Sequence, residues 1–169
     1  MADARQIVDA LVRSRKGGIA ATAALGGLAL VAGLALRALR PSHEPETPDL
    51  SQVGEDEARI MLRAMVAATL ADGIVDTQER QRLDEAVEAA GIDKDGRAWL
   101  EKELADPAEI DELAERVDSP EKGARLYAAA RLAIDADTLQ EREFLKRLAE
   151  ALDVSQDVAA RVDAGLENA

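Results

Sequence analysis

Twenty consecutive residues without a charge, GGIAATAALGGLALVAGLAL from Gly17 to Leu36, constrain this chain more than any other feature. A helix of about 20 apolar residues spans the roughly 30 Å hydrocarbon layer of a bilayer. Arg13, Arg15 and Lys16 precede the run and Arg37 and Arg40 follow it, as cations flank a membrane helix. The expectation is a single-pass transmembrane helix at 17–36. Two alternatives share the pattern. One is a signal sequence, although the apolar part is long for one and its nearest small-x-small site is Gly33-Leu34-Ala35. The other is a buried or membrane-surface helix, although Leu, Val and Ala surround the run and leave no polar face. Gly18, Thr22 and Gly26 recur every four residues, with Ala23 and Gly27 one position on. Such a stripe lets two membrane helices approach, so a homo-oligomer through this helix is a further expectation.

Charge divides the chain at the same place. Residues 1–40 carry a balance of +4 and residues 41–169 a balance of −17. The acidic part is repelled by phosphates, so nucleic acid is excluded as a partner. Cysteine is absent, which removes disulfides, thiolate metal sites and Cys nucleophiles. His43 is the single histidine, so neither a His-based triad nor a multi-His zinc site can be built within one chain.

Between Pro41 and Gly54 the text PSHEPETPDLSQVG places three prolines within eight residues, a semi-extended linker. The expected organisation is therefore an anchoring segment (1–40), a linker (41–54) and an acidic helical domain (55–169). Ahead of the apolar run, Ile7, Val8, Leu11 and Val12 share one face of a short amphipathic helix.

The domain reads as all-α. Aromatics make up only 2% of the chain, so its core is aliphatic and Ala-rich, and Ala and Leu favour helix. Helices are expected from Glu55 to about Ala71, from Asp76 to near Gly91, from about Asp95 to Leu104, from Asp106-Pro107, from Ser119-Pro120, from Thr138 and from Ser155. Pro at the first helical position and the Thr138/Glu141 capping box mark several of the starts. The pattern repeats. Gln78-Glu79-Arg80 and Gln140-Glu141-Arg142 lie 62 residues apart, and at that offset Leu83 meets Leu145 and Ile92 meets Val154. Each unit is a buried helix, a short acidic loop and a capped amphipathic helix. The loops are ADGIVD (Ala71 to Asp76) and AIDAD (Ala133 to Asp137).

The segments LRAMVAATLADGIVDTQER and LYAAARLAIDADTLQEREFLKRLAEAL resemble the YebE-like inner-membrane proteins of bacteria, within the wider tellurite-resistance TerB-like superfamily. The resemblance covers roughly residues 55–166. It implies an N-terminal membrane segment, a TerB-like bundle of about seven helices, placement in the bacterial inner membrane and no established activity. It also implies a divalent metal held by acidic loop residues.

The candidate metal ligands are Asp72, Asp76 and Glu79 in the first unit and Asp135, Asp137 and Glu141 in the second. A hard cation such as Ca²⁺ or Mg²⁺ takes carboxylate and carbonyl oxygens. The competing reading is capping: Asp76 and Thr138 suit N-caps, and Glu79 and Glu141 suit capping-box carboxylates. Caps do not explain Asp72 and Asp135, which follow helix C-termini where the macrodipole disfavours an anion. Those two need a cation, either a metal or an arginine such as Arg63 or Arg131. The leading functional expectation is a membrane-anchored, non-catalytic interaction module with a protein partner, tuned by a divalent cation and linked to envelope or stress physiology. The alternatives are a metal-dependent enzyme using both loops, or a structural membrane protein oligomerising through its Gly/Ala-rich helix.

Overall fold

The computed structural model describes residues 4–15, 27–40, 53–73, 77, 80–81 and 94–167. Among them are eight helices and no strand: α1 (Ala4–Arg15), α2 (Gly27–Leu39), α3 (Glu55–Thr69), α4 (Lys94–Ala105), α5 (Ile110–Ala114), α6 (Pro120–Ala133), α7 (Leu139–Ala151) and α8 (Gln156–Glu167). Of the helix expected from Asp76, only Thr77, Arg80 and Gln81 are described, and all three are helical.

The centre is α3 against α6, the buried helices of the two repeat units. Ala64, Ala67 and Ala68 of α3 and Ala124, Ala128, Ala129 and Ala130 of α6 are buried. Side chains this small let two helix axes approach closely, while Met61, Leu62, Leu126 and Tyr127 fill the space around them. Helix α7 packs on α6, and Leu145, Leu148 and its C-cap Leu152, the face expected from the periodicity, are buried; Phe144 beside them is half-buried.

Local chemistry sets most of the boundaries. Ser119 accepts from the Lys122 N–H at 3.3 Å with Pro120 at the first helical position, so α6 starts where expected. Ser155 accepts from the Val158 N–H at 3.3 Å and opens α8. Helix α7 ends in a Schellman turn, with Val154 N–H on the Ala149 carbonyl (2.8 Å) and Asp153 at φ 54. One start is displaced. Asp106-Pro107 does not open a helix: the Asp106 N–H still bonds to Lys102 O, and α5 begins at Ile110. A residue before proline is pushed away from helical geometry, so this dipeptide closes α4 instead.

The apolar run is described only in its second half. No helix among the described residues is long and apolar enough to cross a membrane. Residues 27–39, covering the second half of the run, form a helix of 13 residues lying against α6 and α8. Leu28, Val31, Leu34, Ala35 and Ala38 join the same hydrophobic core as α3 and α6, together with Ile7, Val8 and Val12 of α1. Gly18, Thr22, Ala23 and Gly26 lie outside the described residues.

Candidate functional site

Four of the six candidate ligands are described; Asp76 and Glu79 lie outside the described residues. The second loop is the better defined. It leaves α6 at Ile134, whose extended backbone ends the helix, and turns through Ala136 at φ 56. Asp135 and Asp137 are exposed, whereas Glu141 is only 6% exposed. One oxygen of Glu141, Oε2, accepts from the backbone N–H groups of Asp137 and Thr138, both at 3.1 Å, and from the Thr138 hydroxyl at 3.0 Å. Thr138 Oγ1 in turn accepts from the Glu141 N–H at 3.1 Å. Glu141 therefore closes the capping box anticipated for it, and its charge faces the positive end of α7.

The backbone oxygens of this loop are also engaged. Arg131 donates from Nη1 to the Ile134 carbonyl at 2.9 Å, and Arg142 donates to the carbonyls of Ala136 (3.2 Å) and Asp137 (2.8 Å). Two guanidiniums thus occupy carbonyls that a hard cation would use. In the first loop Asp72 is exposed beside Gly73, whose φ of +77° is left-handed geometry that glycine adopts without strain. Among the described residues, no group of three or more His, Asp or Glu is placed to hold one metal ion.

The two arginines considered as partners for Asp72 and Asp135 bind other carboxylates. Arg63 donates from Nε to Glu103 at 2.9 Å and from Nη2 to Glu112 at 3.2 Å. Burial works against its charge, but the hydrogen bond and charge of Glu103, helped by Glu112, hold its pKa above the ordinary value. Arg131 donates from Nε to Asp163 of α8 at 2.6 Å. Beside that pair lies Tyr127, where burial and then the Asp163 charge push the phenol up to about 12, against the pull of Arg131.

Residues that the sequence reading passed over do comparable work. Arg125 sits 62 residues after Arg63, the offset of the internal repeat. It pairs with Glu57 of α3 at 2.6 Å, with both side chains largely buried. The repeat thus places an arginine at the same point of each central helix, each bound to carboxylates of another element. Three further contacts fasten the N-terminal helices. Glu55 Oε1 accepts from the Ala4 N–H at 2.6 Å, Asp9 Oδ1 accepts from the Leu28 N–H at 2.6 Å, and Arg161 Nε donates to the Ala38 carbonyl at 2.5 Å. The first two place an anion at a helix N-terminus and the third a cation at a helix C-terminus, as the macrodipole favours. No local motif announces these three, because the partners lie 51, 19 and 123 residues apart. The charged groups resolved around the loops hold helix ends and helix pairs together.

The family described as "Protein of unknown function (DUF533)" matches residues 2–166, nearly the whole chain. The chain belongs to the DUF533 family. DUF533 is related to the TerB-like proteins, so the wider relationship expected from the sequence is met. The match also includes the apolar segment and α1, which the resemblance at 55–166 had not covered. An uncharacterized protein in the ampR 5′ region of Yersinia enterocolitica is 28% identical over 122 residues, covering 71% of this chain and 88% of that protein. No solved structure matches.

Proposed function

We propose that this DUF533 protein is a non-catalytic helical module that associates with the bacterial inner membrane through residues 17–36 and presents its acidic bundle to a protein partner, in the manner of a YebE-like protein. The observation that carries this reading is the uncharged run of 20 residues between two sets of cations. Its length suits a bilayer and its flanks suit anionic headgroups. A non-catalytic role is supported by the work the resolved charges already do: Glu141 caps α7, Arg63 and Arg125 join helices, and Arg131 and Arg142 hold a turn. A divalent cation is a separate proposal and falls to the first acidic loop, since guanidiniums occupy the carbonyls of the second.

Flotation of the full chain with phospholipid vesicles tests the membrane reading. The protein is expected to rise with vesicles containing an anionic phospholipid. Protein that stays at the bottom of the gradient, with anionic and zwitterionic vesicles alike, overturns it. A thermal melt in chelator, Ca²⁺ and Mg²⁺ tests the cation. An ion present at a hundred times its dissociation constant adds about 2.7 kcal/mol, and an unchanged melting temperature removes it.

A further inference from the structure

Helix α2 differs from the later helices in what it turns outward. Each helix from α3 to α8 exposes at least one carboxylate: Asp56, Asp95, Asp111, Glu121, Glu143 and Asp157 in turn. Helix α2 exposes none, because the chain has no Asp or Glu from residue 10 to residue 43. Leu30, Gly33, Leu36, Arg37 and Arg40 are not fully buried, and at helical spacing they fall on one face. The Arg40 N–H still bonds to the Leu36 carbonyl at 2.9 Å, so the helical turn carries through to that residue. The face therefore runs from half-buried apolar residues to two exposed cations.

Those cations have no work inside the bundle. Arg161 already meets the negative end of α2 through the Ala38 carbonyl. Arg63, Arg125 and Arg131 each bind a carboxylate of another element, whereas no carboxylate among the described residues pairs with Arg37 or Arg40. Charge decides what such a face fits. A second copy of the same face would bring the same two arginines to it and no acid to meet them. An anionic bilayer supplies phosphates for the guanidiniums and, just below them, an apolar layer for leucine side chains. Residues 41–169, with a balance of −17, are repelled by such a surface, so the acid-free face is the side that can approach it.

We infer that the outer face of α2, with the helix still docked in the core, is the surface by which the protein lies on an anionic phospholipid bilayer. Arg37 and Arg40 meet headgroup phosphates, and Leu30 and Leu36 face the acyl boundary. The inference rests on the membrane reading above and names the contact. Leu28, Val31, Leu34, Ala35 and Ala38 stay in the core while the opposite side of the helix meets lipid. Attachment of this kind is peripheral and weakens as salt is added.

Cosedimentation of the full chain with vesicles of phosphatidylglycerol in phosphatidylcholine, against phosphatidylcholine alone, tests the contact. Arg37→Glu with Arg40→Glu is compared with Lys146→Glu and Arg147→Glu on the exposed face of α7, which changes the net charge equally. The α2 pair is expected to weaken binding to the anionic vesicles at least about tenfold. The α7 pair should change it less than about twofold, since charges more than a Debye length from the lipid are screened. Arg37→Lys with Arg40→Lys keeps the charge and should keep the binding. Equal weakening by the two Glu pairs, or no weakening by either, overturns the assignment of this face and leaves membrane association standing. A wild type that binds neither kind of vesicle overturns the membrane reading and this inference together. A dimer in sedimentation equilibrium that the α2 pair dissolves, with vesicle binding unchanged, gives the face to a second copy and also overturns it. All these substitutions alter exposed side chains, so thermal melts of the variants are expected to coincide, which excludes misfolding as the source of a difference.

Discussion

Helices α2 and α6 are both rich in Ala and Leu and both lie in one core, yet one reads as a membrane span and the other as a bundle helix. The difference lies in where their polar groups come from. Helix α6 carries its own: Ser119 caps it, Arg125 reaches Glu57 and Arg131 reaches Asp163. Helix α2 has no charge before Arg37 and borrows the rest, with Asp9 at its start and Arg161 at its end. Hydropathy counts only what a helix carries. It therefore separates these two helices in sequence although the same core encloses both.

The sharpest way to break the comparison is to remove what α6 carries. Arg125→Ala leaves Glu57 charged and largely buried without its partner, and breaking such a pair costs about 3–5 kcal/mol. Chemical denaturation of the variant should show that loss. Replacing both members with apolar residues of similar size, as in Arg125→Met with Glu57→Leu, should recover most of it. A double variant as unstable as the single one would mean that the side-chain packing, rather than the pairing, holds α6 to α3. The matching test on α2 is Leu34→Ala. Leu34 is 5% exposed within the core, and truncating a buried leucine costs about 2–5 kcal/mol. If α2 were only lightly attached in solution, the loss would fall well below that range.

The all-helical class and most helix starts were legible because their signals are local or periodic. Ser119-Pro120, the Thr138/Glu141 box and the leucine spacing of α7 each act within one turn or one helix. The position of α2 was not legible, because a run such as GLALVAGLALRAL satisfies the interior of a bundle and the interior of a bilayer equally well. The candidate site was legible in composition and not in role. Glu141 was marked for two jobs, and its bonds to Asp137 and Thr138 show the capping one. Arg125 was legible only through its repeat partner Arg63, and Asp9, Glu55 and Arg161 act across separations that sequence patterns do not reach.

A smaller effect separates the two helices by pH. Tyr127 on α6 has its phenol pushed up to about 12, from an unfolded value near 10. The folded state holds this proton more tightly, so the associated stability is fully present below pH 10 and is lost as the pH rises toward 12. The loss is on the order of 1–2 kcal/mol. Because Tyr127 is the only tyrosine, phenolate absorbance follows it alone. The phenolate is expected to appear near pH 12 in the folded protein, and Tyr127→Phe should remove this component of alkaline destabilisation. A midpoint near 10 in folded protein would mean that the ring is hydrated and that the centre of α6 is looser than its burial indicates.

The two helix N-termini give the finest comparison. Ser119 caps its own helix, and Asp9 accepts from the N–H of Leu28 in the first turn of α2, 19 residues later in the chain. Replacement of either by Ala should cost about 1 kcal/mol, the usual worth of an N-cap side chain. Where the loss falls should differ. Ser119→Ala weakens α6, which packs against α3 at the centre of the molecule, so amide exchange should rise throughout the core. Asp9→Ala weakens the tie between α1 and α2, so the increase should centre on residues 28–39 and leave α3 and α6 protected. Uniform exchange changes in both variants would instead mean that α2 opens only when the whole bundle opens, and that the borrowed caps bind it into the core as firmly as the charges of α6 bind its own helix.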